Sequence, residues 1–225
     1  MLSIFKKISL AIIMMAGVFS LAGCLDKQSP EEKMFEELEK VVSIEKTFED
    51  QQDPLVELEK KEKEIYEKII SLGMKEYDQI VKLADEALAN ADKRAEHIDK
   101  EKESIDESRK EFKNIDQIIE EIEDSGLKKQ ANELKATMNE RYEIHDDLYK
   151  NYKQGLQYDK KLYEMLKDKE LSFDNLEEQI NKVNEIYETV LKDNQEFNDK
   201  TDQYNKEKLA FYKKAGIEVS PEKEE

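Results

Sequence analysis

The sequence predicts an all-α protein, an elongated up-and-down four-helix bundle with long antiparallel, coiled-coil-like helices, and three observations predict it. Charged residues fill 41% of the 225 positions against 38% hydrophobic, which suits helices with one buried stripe and a broad solvated face. Six glycines and three prolines are too few for the many turns of a sheet-rich fold. Between Phe173 and Phe211, apolar groups recur at alternating steps of three and four, through Leu176, Ile180, Val183, Tyr187, Val190, Phe197 and Tyr204.

The chain divides by composition into a leader at 1–23, a tether at 24–30, a single bundle domain at 31–216 and an acidic tail at 217–225. In the leader, Lys6 and Lys7 precede a largely apolar run that closes on small residues, the layout of a secretory signal. It ends in Leu21-Ala22-Gly23-Cys24, and Cys24 is the sole cysteine of the sequence. That combination resembles the lipobox of bacterial lipoproteins, which implies cleavage before Cys24 and a diacylglycerol on its thiol. Two acyl chains hold a protein on a bilayer stably where one is marginal. With one cysteine, no intrachain disulfide and no cysteine-based metal site is available.

Within the bundle, Ser29 is placed to cap a helix whose first position is Pro30. Met34, Leu38, Val41, Ile44 and Phe48 carry the first stripe, and a kink or short break is expected at 50–54, where Pro54 cannot donate a helical hydrogen bond. The stripe resumes through Leu55, Leu58, Ile65, Ile69 and Leu72. Gly73 is the favoured reversal, with Asn90-Ala91-Asp92 as the competing hinge in the run from Tyr77 to Ile122. Asp124-Ser125-Gly126 is the clearest turn, opening a helix from Leu127 to Leu166. Ser172 caps the last helix, which stops at Ala215-Gly216.

Charge narrows the partners. The leader removes two lysines and no acid, so 35 basic residues face 55 acidic ones and the mature chain stands at -20. Nucleic acid and anionic lipid headgroups are disfavoured as electrostatic partners. The chemistry of catalysis is equally hard to find. The two histidines, His97 and His145, are 48 residues apart and belong to no Glu-x-x-His or His-Glu-x-x-His pattern, so neither a metal nor a cofactor is expected. A glycine-rich phosphate loop and a nucleophile elbow are missing too. No catalytic residue is assigned.

Polar groups that interrupt the last stripe stand out: Asn194, Asn198, Thr201, Tyr204 and Asn205. Two readings fit them. They set helix register inside the bundle, as buried asparagines do in coiled coils, or they form a polar face suited to a glycan or peptide. Arg94, Arg109 and Arg141 are the only arginines among 37 basic residues, and interhelical pairing with carboxylates is their expected work.

The segments KRAEHIDKEKESIDESRKEF (93–112), MNERY (138–142), LYKNYK (148–153), DKKLYEML (159–166) and EFNDKTDQYNKEKLAFYKKAG (196–216), with LAGC before them, resemble the YkyA-like family of cell-wall-binding lipoproteins of Gram-positive bacteria. The resemblance covers essentially the whole mature chain. It implies a lipid-anchored helical bundle on the outer face of the cytoplasmic membrane, with peptidoglycan or another envelope protein as partner. It brings no catalytic mechanism. The function expected is that of a non-enzymatic surface protein, a wall binder or envelope scaffold. The alternative is a small-molecule- or peptide-binding lipoprotein, or an enzyme with an unrecognised site on the bundle.

Overall fold

The computed structural model describes residues 28–72 and 76–219; the leader, Cys24 and Gly73 lie outside the described residues. Every regular element among those described is helical: α1 (Pro30–Ile44), α2 (Lys46–Ser71), α3 (Tyr77–Phe112), α4 (Ile115–Glu121), α5 (Ser125–Met165) and α6 (Phe173–Ala215). They form four arms, α1 with α2, α3 with α4, then α5 and α6.

Caps set most of the ends. At Ser29 the side chain accepts the Glu32 amide while the Glu32 carboxylate accepts the Ser29 amide, a complete capping box with Pro30 at the first helical position. Asp124 takes the corresponding place for α5, its carboxylate accepting the Leu127 amide at 2.7 Å. The turn therefore sits at 122–124, and Ser125-Gly126 already belongs to α5. Gly126 makes room there, because a Cβ would lie 2.3 Å from Lys214 Nζ. Helix α6 closes at Gly216, whose φ of 74° lets the Ile217 amide reach back to the Tyr212 carbonyl.

The first arm breaks at Glu45 rather than at 50–54. The Ser104 hydroxyl of α3 donates to the Ile44 carbonyl at 2.9 Å and accepts the Phe48 amide at 3.2 Å. It thus occupies the place of the Ile44–Phe48 helical bond, and a side chain inserted into the ladder interrupts a helix. Pro54 instead sits inside α2 on its exposed side, and the helix carries on through it. The Asn90-Ala91-Asp92 step is likewise inside an unbroken α3, and the second arm is interrupted at 113–114 instead.

The backbone contacts divide the described chain into two compact units. Unit 1 comprises 50–72, 76–102 and 145–195, and unit 2 comprises 28–49, 103–144 and 196–219. In unit 1, Gln51 pairs with His97 and Lys61 with Glu86, Lys153 with Asp99 and Lys160 with Asp92, and Tyr187 with Asp159 and Asn151 with Asp193. Residue numbers fall on one partner as they rise on the other, so consecutive arms are antiparallel. Unit 2 repeats the arrangement through Lys33–Glu121 and Lys40–Glu111, Lys135–Asp116, and Lys200–Glu140, with Lys208–Glu39 closing α6 on α1. Each unit is an up-and-down four-helix bundle. The apolar stripes fill it: Ile65, Ile69, Ile80, Ala84 and Ala87 in unit 1, and Met34, Leu38, Phe112, Leu134, Phe197 and Phe211 in unit 2.

Candidate functional site

Each of the two bundles carries a buried network of polar and charged side chains. In unit 1 the Arg94 side chain is 4% exposed, and it reaches groups from the other three arms. Its Nη1 pairs with Glu62 and with Asp159, the latter at 3.2 Å; its Nε donates to the Tyr152 hydroxyl and its Nη2 to the Tyr187 hydroxyl, both at 2.9 Å. Tyr152 donates in turn to Glu59 at 2.7 Å, Tyr163 donates to Glu62 at 3.2 Å, and Tyr187 donates to Asp159. Beside this knot Glu101 is buried with its carboxylate accepting from Gln52 at 2.6 Å. One guanidinium therefore faces a surplus of acids.

That surplus governs their protonation. Burial pushes the Glu101 carboxyl up to about 8, and the nearby Glu59 charge adds to the rise. Burial also raises Asp159 well above the carboxylate range, with Glu62 reinforcing it and Arg94 opposing, and it raises Glu59 against the pull of Arg94. The Tyr152 and Tyr187 hydroxyls are held well above their usual values by burial, so they stay donors.

Unit 2 has a smaller, balanced node. Arg141, 2% exposed, makes a two-pronged pair with Glu45 at 2.9 and 2.8 Å, and its Nε donates to Thr201 at 2.8 Å. Ser108 donates at 2.6 Å to the Glu45 Oε1 that Arg141 Nη1 also reaches, and bonds Tyr142 at 2.7 Å. Lys208, also buried, pairs with Glu39 at 3.1 Å. Buried cations and acids are matched one to one here.

The polar residues singled out on α6 do not gather in one place. Asn194 is half-buried in unit 1, whereas Asn198 and Asn205 are half-buried and Thr201 and Tyr204 buried in unit 2. Thr201 donates to the Phe197 carbonyl and accepts from Arg141. The Tyr204 ring packs on Phe112, while its hydroxyl is buried with no hydrogen-bond partner in the protein. Thr201, Tyr204 and Asn205 line a cavity with Arg141, Glu45, Met138, Val41 and Val42, of about 20 Å³. That is the size of a water molecule, far below the several hundred Å³ of a ligand pocket. Of the histidines, His97 is half-buried with Nδ1 2.8 Å from the Gln51 carboxamide oxygen, and His145 is fully buried. Among the described residues no group of histidine, cysteine and carboxylate side chains is arranged to hold a metal.

Arginine scarcity marks Arg94, Arg109 and Arg141; the first and last pair with carboxylates of other arms, the Arg109 guanidinium lies over the Tyr142 ring, and scarcity alone does not point to the acids. A signal existed: Glu45 falls between Val41 and Phe48, Glu62 between Leu58 and Ile65, Glu101 between Ile98 and Ile105, and Asp159 between Leu156 and Leu162. Each acid fills an apolar slot of its stripe.

Comparison with known proteins agrees with this architecture. A family described as "putative cell-wall binding lipoprotein", the YkyA family, matches residues 29–214. An uncharacterised lipoprotein, YkyA of Bacillus subtilis strain 168, is 40% identical over 199 residues, covering 88% of this chain and 89% of its own. A crystal structure of a conserved protein of unknown function from Staphylococcus aureus superposes with a TM-score of 0.71 at 19% identity, over 83% of this chain and 97% of that one.

Proposed function

Because this chain belongs to the YkyA lipoprotein family, we propose that it is a non-enzymatic envelope protein, held by a diacylglycerol on Cys24 at the outer face of the membrane, whose helical body contacts peptidoglycan or another envelope protein. The observation that carries this reading is the position of the first cap. Among the described residues the first helix opens at the Ser29 capping box, and only residues 25–28 separate it in sequence from Cys24, so an acylated Cys24 keeps that helix close to the lipid surface. The internal polar groups support a structural role for the bundle, since Arg94 and Arg141 spend their hydrogen bonds on neighbouring helices. The water-sized cavity beside Thr201 and Tyr204 argues against a glycan or peptide site on that face.

With a mature charge of -20, contact with anionic wall polymers is opposed, which leaves uncharged glycan or cationic peptide groups as the wall chemistry that fits. Sedimentation of the mature chain with purified peptidoglycan at physiological salt discriminates the two partners. Saturable binding supports wall recognition; its absence leaves protein contact, to be identified by crosslinking in cells. Cys24→Ser tests the anchor separately, with release of the protein from the membrane fraction expected.

A further inference from the structure

We infer that unit 1 is a proton-loaded core: one guanidinium, Arg94, faces the carboxyl groups of Glu59, Glu62 and Asp159, with Glu101 buried beside them, so part of this acid cluster stays protonated, and loss of those protons above neutral pH loosens unit 1 but not unit 2. The geometry carries the inference. Three carboxyl groups, those of Glu59, Glu62 and Asp159, lie within 3.8 Å of one buried guanidinium, Glu101 is buried near Glu59 with the Gln52 amide on its carboxyl, and an unpaired carboxylate in that setting is strongly disfavoured. The groups facing the knot are Glu59 and Glu62 from α2, Arg94 and Glu101 from α3, Tyr152, Asp159 and Tyr163 from α5, and Tyr187 from α6. Arg94 supplies the sole positive charge among them. The tyrosines donate to the carboxyl oxygens and remain protonated in the relevant range. Unit 2 supplies the internal control, because Arg141 answers Glu45 and Lys208 answers Glu39.

The direction follows from linkage. A carboxyl whose folded value lies above its unfolded value binds more protons in the folded state, so its stabilising contribution is full below about 4 and is lost as pH rises toward the folded value, about 8 for Glu101. Working above pH 7 keeps His97 uncharged, since burial holds its imidazole below the usual range.

Hydrogen exchange of the full mature protein between pH 7 and 9, corrected for intrinsic exchange, tests this. Protection in peptides from 50–102 and 145–195 is expected to fall by up to about ten-fold per pH unit for each proton retained, with protection in 103–144 and 196–215 unchanged. In Glu101→Gln the unit 1 slope should shrink while Gln52 keeps a partner, and Glu59→Gln should shrink it independently if the first variant folds poorly. Equal slopes in the two units, or unit 1 slopes that neither variant alters, would overturn the inference.

Discussion

Replacing Arg94 by methionine removes the cation at the centre of the buried acid cluster of unit 1 while keeping a side chain of similar reach. It deletes the bonds to Tyr152 and Tyr187 at 2.9 Å and to Asp159 at 3.2 Å, and it leaves Glu62 without its ion pair. Breaking a buried pair by removing one partner costs about 3–5 kcal/mol. The deficit should also depend on pH in a direction fixed by the structure. At pH 5 much of the penalty is escaped, because Asp159, raised by burial and pulled down by Arg94, holds its proton more readily once that charge is gone. At pH 8 holding that proton becomes more expensive, by at most about 1.4 kcal/mol for each pH unit. Urea denaturation of wild type and Arg94→Met at pH 5 and pH 8, with hydrogen exchange in 50–102 as a local reporter, reads both quantities. Adding Asp159→Asn to the variant should flatten the pH dependence. A loss under about 1 kcal/mol at pH 8, or the same loss at both pH values, would refute the view that Arg94 is held as the counter-charge of a buried acid cluster.

Three further outcomes follow from single contacts. Ser104→Ala takes away the hydroxyl that bridges the Ile44 carbonyl and the Phe48 amide, and should cost about 1–2 kcal/mol with faster exchange of the Phe48 amide; an unchanged amide would mean that the helix closes its own bond. Gly155→Ala gains about 1 kcal/mol in helix propensity but sets a Cβ 3.0 Å from Tyr187 Cζ, a ring tethered by Arg94 and Asp159, so thermal melting should show a net loss of about 1 kcal/mol rather than a gain. Tyr204→Phe deletes a buried hydroxyl that no protein group bonds and should hold or slightly raise stability, whereas Tyr187→Phe, which cuts two bonds to charged groups, should lose about 1.5–3 kcal/mol.

Local signals in the sequence reach the helices whose limits are set locally. Ser29-Pro30, Ser172 and Gly216 each act through bonds to residues a few positions away, and the 43 residues of α6 run between two such limits as the periodicity of Phe173 to Phe211 requires. The Glu45 break is different in kind. It depends on Ser104, 60 residues on from Ile44, and becomes visible only once α3 lies beside the first arm. Pro54 misleads for the complementary reason. The bond it cannot make belongs to Asp50, and both residues are exposed, where water can satisfy the carbonyl left over and the helix tolerates the loss.

The same distinction separates what composition says about charge from what the bundle does with it. A mature charge of -20 treats every acid as solvated and ionised, yet Glu101 and Asp159 sit in apolar slots and Glu59 lies beside Arg94 in the same cluster, where burial favours their neutral forms. The effective charge is therefore less negative than the count and shifts across the neutral range. Repulsion from anionic wall polymers weakens in step, since it follows net charge and screens over about 8 Å at physiological salt. Peptidoglycan sedimentation run at pH 6 and at pH 8 should then show stronger retention at pH 6. Glu101→Gln should narrow the difference, because it fixes one internal group in its neutral form without touching the exposed face of any helix. Retention that is equal at both pH values would confine the proton-dependent behaviour to the interior of unit 1 and separate it from partner contact.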